Sequence, residues 1–322
     1  AVRQRCGVFD ISHMGVLTLT GSGVKDKLQG LVPSDLQRIG PGEAQYTVLL
    51  NEAGGIRDDL IVYDRSDTEV VVVINAACAD SDTAWIKQQL EPQGVSVSDR
   101  KAGGVLLALQ GPEAVGRLER LCGESLAGVP RFGHRDLTIK GEPVFAARTG
   151  YTGEDGFELL LTASAGQSLW RQLLEDGVAP CGLGARDSLR LEAAMHLYGN
   201  DMDANTSPLE CGLGWLVHLE MPIEFVGREA LERQTAEGVS RKLVGLKLQG
   251  RAIARHDYPV LHNGEPVGVV TSGTFSPTLE HPVALASVRA DLAKLGNELM
   301  VEIRGRQEPA VVVKRPFYRR QG

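Results

Sequence analysis

The sequence predicts an α+β fold in more than one domain, and three observations point there. Strand-like and helix-like stretches interleave, but the strands pair through short glycine-bearing turns and not through βαβ crossovers. The 322 residues exceed what one hydrophobic core organises. Beyond Arg241 the pattern changes to short strands punctuated by Gly, Pro and Asn, with hardly any helical periodicity.

The elements follow in order. Val16–Thr20 alternates as a strand, and Gly21–Gly23 separates it from a polar helix through about Leu28. Gln45–Leu50 and Ile56–Tyr63 are β-rich runs joined by Asn51–Gly55, whose two glycines mark an antiparallel hairpin. Glu69–Asn75 is a third strand, followed by an amphipathic helix across Ala76–Leu90. Val105–Gln110 and Pro112–Leu121 repeat strand then helix. Leu137–Leu161 is β again, broken by a dense turn at Thr149–Gly156, and helices are predicted over Ala165–Leu174 and Ala185–Leu197. Gly199–Pro208 is polar and irregular, and Ala230–Ser240 is the expected linker. Strands over Leu243–Leu248, Pro266–Thr271, Ala284–Val288, Leu299–Ile303 and Ala310–Val313 form a small all-β domain, barrel-like or jelly-roll-like.

Composition removes several function classes. The balance of 43% hydrophobic and 23% charged residues is that of a globular protein. The longest apolar runs, such as Val70–Ile74, are too short to cross a bilayer, so no membrane span is expected. A formal charge of −7 without a long basic run disfavours a nucleic-acid surface; Lys314–Arg320 is a local basic stretch at the C-terminus. Five scattered cysteines with no C-x-x-C pair suggest neither a disulfide framework nor a zinc site, and seven histidines form no metal-binding motif. No metal is expected, and a reducing, cytoplasmic setting fits. No signal or transit peptide is visible, although a mitochondrial location stays open.

Three clusters could carry chemistry. In Ile56–Tyr63, strand alternation puts Asp58 on the face of Leu60 and Val62, and Asp59 on the face of Ile61 and Tyr63. In a regular strand one of the two carboxylates faces a partly apolar environment, which costs free energy unless it is hydrogen-bonded. The alternative is a strand-end turn with both acids in water. In Arg148–Glu158 three closely spaced glycines suit a backbone that takes positive φ or approaches a ligand, while Tyr151 offers a flat face and Glu158 two acceptor oxygens; an ordinary tight turn is the other reading. In Cys181–Glu192 a glycine loop enters a helix but lacks the third glycine and the βαβ context of a dinucleotide site. There Arg186 and Arg190 share a helical face, available either for local pairing with Asp187 or Glu192 or as a guanidinium fork for a ligand.

Taken in order, these clusters resemble the T-protein of the glycine cleavage system, a family of tetrahydrofolate-dependent aminomethyltransferases. Phe9–Gly15, Asn51–Tyr63, Ala108–Pro112, Arg148–Leu159, Gly182–Glu192, Leu197–Asp203, Gly268–Gly273 and Lys314–Tyr318 carry the resemblance across essentially the whole chain. It implies a three-domain folate-binding fold: a discontinuous first domain at 1–20 and 106–229, an inserted α+β domain at 21–105, and a C-terminal all-β domain at 241–322. The family normally has a further segment before the position of Ala1. The implied reaction moves a methylene group from the aminomethyl-lipoyl arm of H-protein to tetrahydrofolate, the co-substrate, with release of ammonia; the P- and L-proteins complete the system. Residue by residue, Asp59 matches the catalytic acid. Tyr151, Glu158 and Arg186 match folate-binding positions, and Met14, Tyr46 and Asn75 match positions lining the folate cavity. Without the resemblance, Met14 and Tyr46 would be core and Asn75 a helix cap. Tyr318 and Arg319 are expected near the cavity.

Two alternatives belong to the same fold. A non-catalytic relative of the iron–sulfur assembly type would carry a K-G-C-x-x-G-Q-E signature where this chain has Arg148–Glu154 with no cysteine. The folate domain of a sarcosine or dimethylglycine dehydrogenase would accompany a long flavin-binding region.

Overall fold

The structure, a computed structural model, describes residues 1–100 and 103–320. Residues 101–102 and 321–322, which fall inside the expected ranges 21–105 and 241–322, lie outside the described residues. Three β-layers organise the chain, and the fold is α+β with a closed C-terminal barrel.

The first sheet has six strands in the order Ala179–Pro180, Gly7–Asp10, Gly104–Gln110, Gly156–Thr162, Glu142–Ala147 and His134–Ile139. Only the first neighbours run parallel. One face packs Leu109, Phe157 and Leu159 against Leu118 of helix Ala114–Cys122 and Leu169 and Leu173 of helix Ala163–Glu175. The opposite face places Phe9, Leu106 and Ala108 against Tyr63 and Val71 of the second sheet.

That second sheet is antiparallel throughout, in the order Ala44–Leu50, Ile56–Ser66, Glu69–Ile74, Gly15–Thr20 and Ser96–Asp99. Leu60, Val62 and Val72 point away from the first sheet, into a core closed by Leu28 of helix Val24–Gln29 and Ile86 and Leu90 of helix Ala79–Leu90. The period-2 pattern of Ile56–Ser66 therefore serves two different cores at once.

The barrel closes in the order Arg241–Leu248, His281–Arg289, Glu265–Ser276, Pro259–His262, Glu298–Ile303 and Arg306–Val313. Its interior is aliphatic, with Leu246, Val260, Val270 and Val301 fully buried. On its outside, Leu243, Val283 and Leu285 join Val48 and Leu50 of the second sheet and Leu191 and Leu216 in a shared core.

Several boundaries differ from expectation, each for a physical reason. Gly15–Thr20, expected with the first segment, pairs with Glu69–Ile74 and Ser96–Asp99 in the second sheet, so the chain changes sheets at residues 11–14. The helix expected from Ala76 starts at Ala79, because Asn75 directs its side chain into the second sheet and caps nothing. The helix expected across Ala185–Leu197 runs Leu183–Glu192. It stops because Ala194 turns left-handed, at φ 53°, and the Met195 N–H donates to the Arg190 carbonyl. That is a Schellman-type end made without the glycine that usually announces one. The expected linker Ala230–Ser240 contains most of a helix, Arg228–Glu237, whose Ala230 and Leu231 are buried. One barrel strand not expected from the sequence, Pro259–His262, has only four residues and begins with proline, so it gave no run; its hairpin partner follows across Asn263-Gly264, both at positive φ. No helix among the described residues is long and apolar enough to cross a membrane.

Candidate functional site

A cavity of about 1020 Å³ opens where the two sheets, the Leu183–Glu192 helix and the barrel end meet. Its acidic wall is the central Ile56–Ser66 strand. A bulge falls at Arg57, since Leu49 opposes Asp58 while Leu50 opposes Ile56. Such bulges turn a strand locally and re-aim its side chains. Asp58 is sent to the helix side and is completely buried, whereas Asp59 is half-buried on the cavity wall. Neither stands in open water, so the strand reading of the pair holds over the turn reading.

Asn75 ends the neighbouring strand and bridges the two acids. Its Nδ2 donates to Asp58 Oδ1 at 2.8 Å and to Asp59 Oδ1 at 2.7 Å, and its backbone N–H donates to Asp58 Oδ2 at 2.9 Å. Tyr46 Oη donates to the other Asp59 oxygen at 2.9 Å. Burial, then the charge of Asp58, pushes Asp59 up to about 7, while the Tyr46 and Asn75 donors pull the other way. Burial followed by Asp59 raises the Tyr46 phenol well above its ordinary value, so it stays a donor. Asp59 is thus a carboxyl that exchanges its proton near neutrality.

The opposite wall is the Arg148–Glu158 turn. Arg148 and Asp155 pair at 2.6 Å and fasten it. Gly150 has no room for a side chain: an added Cβ would sit 2.0 Å from Gln110 Oε1, and buried Gln110 donates to the Thr149 carbonyl at 3.0 Å. The glycine is therefore needed for a close backbone approach, and that approach brings Tyr151 into the cavity. Tyr151 donates to the His196 carbonyl, and the Arg186 guanidinium lies 4.6 Å from its ring centroid. Burial raises the Tyr151 phenol and lowers the His196 imidazole. Glu158, on the strand after the turn, has one oxygen held by Thr149 Oγ1 at 2.6 Å, and Thr149 in turn meets Tyr63 Oη at 3.1 Å. A carboxylate fixed in this way presents acceptors in one orientation.

All seven residues expected at the site, Met14, Tyr46, Asp59, Asn75, Tyr151, Glu158 and Arg186, line this one cavity. Arg190 does not join them. It turns away to Asp187 and to buried Asp201 at 2.7 Å each, so the two arginines on one helical face divide into one at the cavity and one in a structural ion pair. Tyr318 and Arg319 do not line it either: Tyr318 stacks on Arg3 at 4.0 Å and Arg319 is exposed, while Lys314, Arg315 and Pro316 supply the C-terminal wall. Sequence reasoning also missed Leu183 and Trp215, which are 70% and 63% exposed at the cavity. Trp215 stacks near Tyr46, with centroids 6.3 Å apart. A large indole between Gly212 and Gly214 on one side and polar flanks further out was the available signal. Behind the acids, Asp58, Cys78 and Asp82 bring side-chain donor atoms within 4.8 Å of one another, and all three are buried.

Comparisons with known proteins agree with this architecture. Residues 1–221 match the family model described as the GCVT N-terminal domain, and residues 241–319 match the glycine cleavage T-protein C-terminal barrel domain. The chain is 70% identical to the aminomethyltransferase of Synechococcus sp. (strain CC9902), over 99% of this chain and 90% of that one. It is 71% identical to that of Parasynechococcus marenigrum (strain WH8102), over 99% and 89%. Among solved structures, glycine cleavage system aminomethyltransferase T from Bartonella henselae superposes with a TM-score of 0.92 at 36% identity, covering 98% of this chain and 87% of that one. With both halves of the chain matched in order and the fold superposing over nearly its full length, the chain belongs to the glycine cleavage T-protein family of aminomethyltransferases, enzymes of the transferase class.

Proposed function

We propose that the cavity binds tetrahydrofolate, the co-substrate the family implies, with its pterin between Asp59 and Glu158. Lipoylated H-protein presents an aminomethyl group at the mouth, and N5 and then N10 of the folate bond to that carbon as its C–N and C–S bonds break. Ammonia leaves, and 5,10-methylenetetrahydrofolate and the reduced lipoyl carrier are formed. The P- and L-proteins supply and recycle the carrier, and cytoplasmic residence, in keeping with five unpaired cysteines, belongs to the same reading.

The observation that carries this is Asp59 itself. Both of its oxygens are held, by Tyr46 and Asn75, and its carboxyl sits at about 7 on the wall of a cavity large enough for a folate. Such a group can take up and return a proton at the reacting nitrogen near neutral pH. Glu158 accepts from the donor edge of the 2-amino pyrimidinone, and Tyr151 stacks against the ligand. Arg186 donates to a ligand oxygen. Met14 and Tyr46 set the cavity walls and Asn75 keeps Asp59 in place. The rate gain comes chiefly from orientation, worth up to roughly 7–11 kcal/mol when two reactants are held in attack geometry.

The direct experiment is methylenetetrahydrofolate formation from aminomethyl-loaded H-protein, with and without tetrahydrofolate. Product is expected only when both substrates are present. Tight folate binding with no product would assign the chain to the non-catalytic relatives.

A further inference from the structure

Behind the catalytic wall lies a buried acid that the reaction scheme above does not use. Asp82 sits in the first turns of helix Ala79–Leu90 and is 1% exposed, and its Oδ2 accepts from no donor. It faces Asp58, which is fully buried on the strand below, within the 4.8 Å cluster that also includes Cys78. Two carboxylates this close and this dry do not both ionise; one keeps a proton and donates it to the other.

Geometry says which. Asp58 already receives two N–H donors from Asn75, at 2.8 and 2.9 Å, and these favour its anion. Asp82 has no comparable donor on Oδ2, so the proton stays with Asp82 and its O–H points at Asp58. We propose that Asp82 is a positioning residue of the transferase: it donates a proton-bearing hydrogen bond to Asp58, fixes Asp58 as the anion, and through the shared Asn75 amide sets the orientation and proton affinity of Asp59. The proposal rests on Asp59 being the reacting carboxyl.

The electrostatics agree with that arrangement. Burial first, and then the contact with Asp58 and its charge, push Asp82 up to about 8, against a smaller opposing pull from Arg57. Burial also raises Asp58, while its bonds to Asn75 and Asp82 act to lower it. Asp59 in turn feels the Asp58 charge as its second-largest influence after burial. The titratable groups facing Asp82 are Asp58 and Arg57 from the strand, Cys78 at the helix start, and Tyr198 from the loop after the Leu183–Glu192 helix, with Asp59 and Asp203 further out. The Arg57 guanidinium lies 4.8 Å from the centroid of the Trp85 ring and forms no ion pair with Asp82, so it tempers the acid without neutralising it. Burial, followed by Asp58 and Asp82, lifts the Cys78 thiol to about 12, which leaves it uncharged through the working range.

The consequence is a pH dependence with its own signature. Near neutral pH, with Asp82 still protonated, the pair carries one negative charge and Asn75 bridges undisturbed. Above about 8 Asp82 ionises, Asp58 loses its donor, and two anions repel beside the bridge. Turnover should then fall on the alkaline side for a reason located one layer behind the substrate.

The test combines carbon-13 titration of aspartate carboxyls in the whole, ligand-free chain with pH profiles of kcat. In the unaltered protein one buried carboxyl should titrate near 8, and kcat should fall above that pH. Asp82→Asn is neutral at every pH and its amide can donate to Asp58. It should lose that titration and the alkaline fall, while keeping most of its turnover at neutral pH. Asp82→Ala has no donor and should lose about tenfold in kcat, the worth of one charged hydrogen bond, with KM for tetrahydrofolate little changed. Rescue by asparagine and not by alanine separates positioning from mere packing. An unchanged alkaline limb in Asp82→Asn overturns the proposal, as does wild-type kcat in Asp82→Ala. Should Asp82→Ala fail to fold, the titration near 8 decides alone, and its persistence in Asp82→Asn overturns the proposal. Undiminished turnover in Asp59→Asn would instead overturn the role of Asp59, and the ligand-free titration of Asp82 would be unaffected by that outcome.

Discussion

On the second sheet and the helix laid over it, Asp58, Asp59 and Asp82 are withdrawn from water near one another, and burial drives all three toward holding protons. At the end of the Leu183–Glu192 helix, Glu192, Glu154 and Asp201 are also withdrawn from water, but beside arginines. Glu192 accepts from Arg3, Ser276 and Thr278, and although burial pushes its carboxyl up, these donors outweigh it and hold the group below its usual value. Glu154 meets Arg3 and Arg320, and Asp201 meets Arg190 and Thr271. The contrast separates two uses of buried charge. A carboxylate neutralised by a guanidinium is fixed in one state and joins elements; one crowded by its own kind is poised between two states and can do proton chemistry.

Four measurements would break or sharpen that contrast. The largest effect is expected at the poised group: Asp59→Asn should cut kcat by roughly 10²–10⁴, the usual worth of a positioned acid or base. Folate affinity should stay within about tenfold, or roughly 1.4 kcal/mol, by isothermal titration. Loss of binding with retained turnover at saturating folate would make Asp59 a ligand anchor instead.

At the paired group the expected loss is in stability. Arg190→Met leaves Asp201 buried without its guanidinium and should cost about 3–5 kcal/mol in denaturant unfolding. A loss near zero would show that Thr271 and the Leu197 N–H suffice for Asp201.

The third comparison is a difference of sign. Asp59 and Asp82 have folded values of about 7 and about 8 against 3.8 unfolded. The folded state therefore binds more protons between those limits, and stability falls as pH rises from about 4 to about 8. Glu192 is depressed, so its contribution is present above its unfolded value and is lost as pH falls through the folded one. Asp82→Asn should flatten the fall in stability between about pH 4 and about pH 8, and Glu192→Gln should flatten the acid-side loss. The same slope change from both would erase the distinction.

The smallest effect concerns how the paired region is shaped. Ala194→Gly relieves a left-handed alanine at the helix end and should stabilise by up to about 1 kcal/mol, seen as a raised midpoint. Destabilisation would mean that the methyl packing outweighs the backbone cost.

Much of this was legible in the sequence where a local rule sufficed. The Asn51–Gly55 hairpin, the alternation that sets Asp58 and Asp59 on opposite faces, and the glycine demand around Tyr151 all follow from periods and turn chemistry. The family resemblance then selected Asp59 and gathered the other six cavity residues. What escaped was non-local or unsignalled. Asp82 reads as an ordinary first-turn helix acid until the helix is laid over the strand that carries Asp58. Arg190 and Arg186 are indistinguishable by spacing, and only Asp201 and Ser272 decide which is structural. Ala194 ends a helix where no glycine warns of it, and Pro259–His262 is too short to register as a strand.

The change of sheet at residues 11–14 also separates two kinds of strand pairing along the chain. The second sheet is complete once Asp99 has been made, since all its strands lie between Gly15 and Asp99. The first sheet pairs Gly7–Asp10 with Gly104–Gln110 and with Ala179–Pro180, both far along the chain. The acid wall therefore draws its strand partners from one continuous stretch of chain, whereas the Gly7–Asp10 strand depends on partners much further along it. The cavity, by contrast, is walled by residues from His13 to Pro316, so it is complete only with the barrel end in place beside the bridged acids.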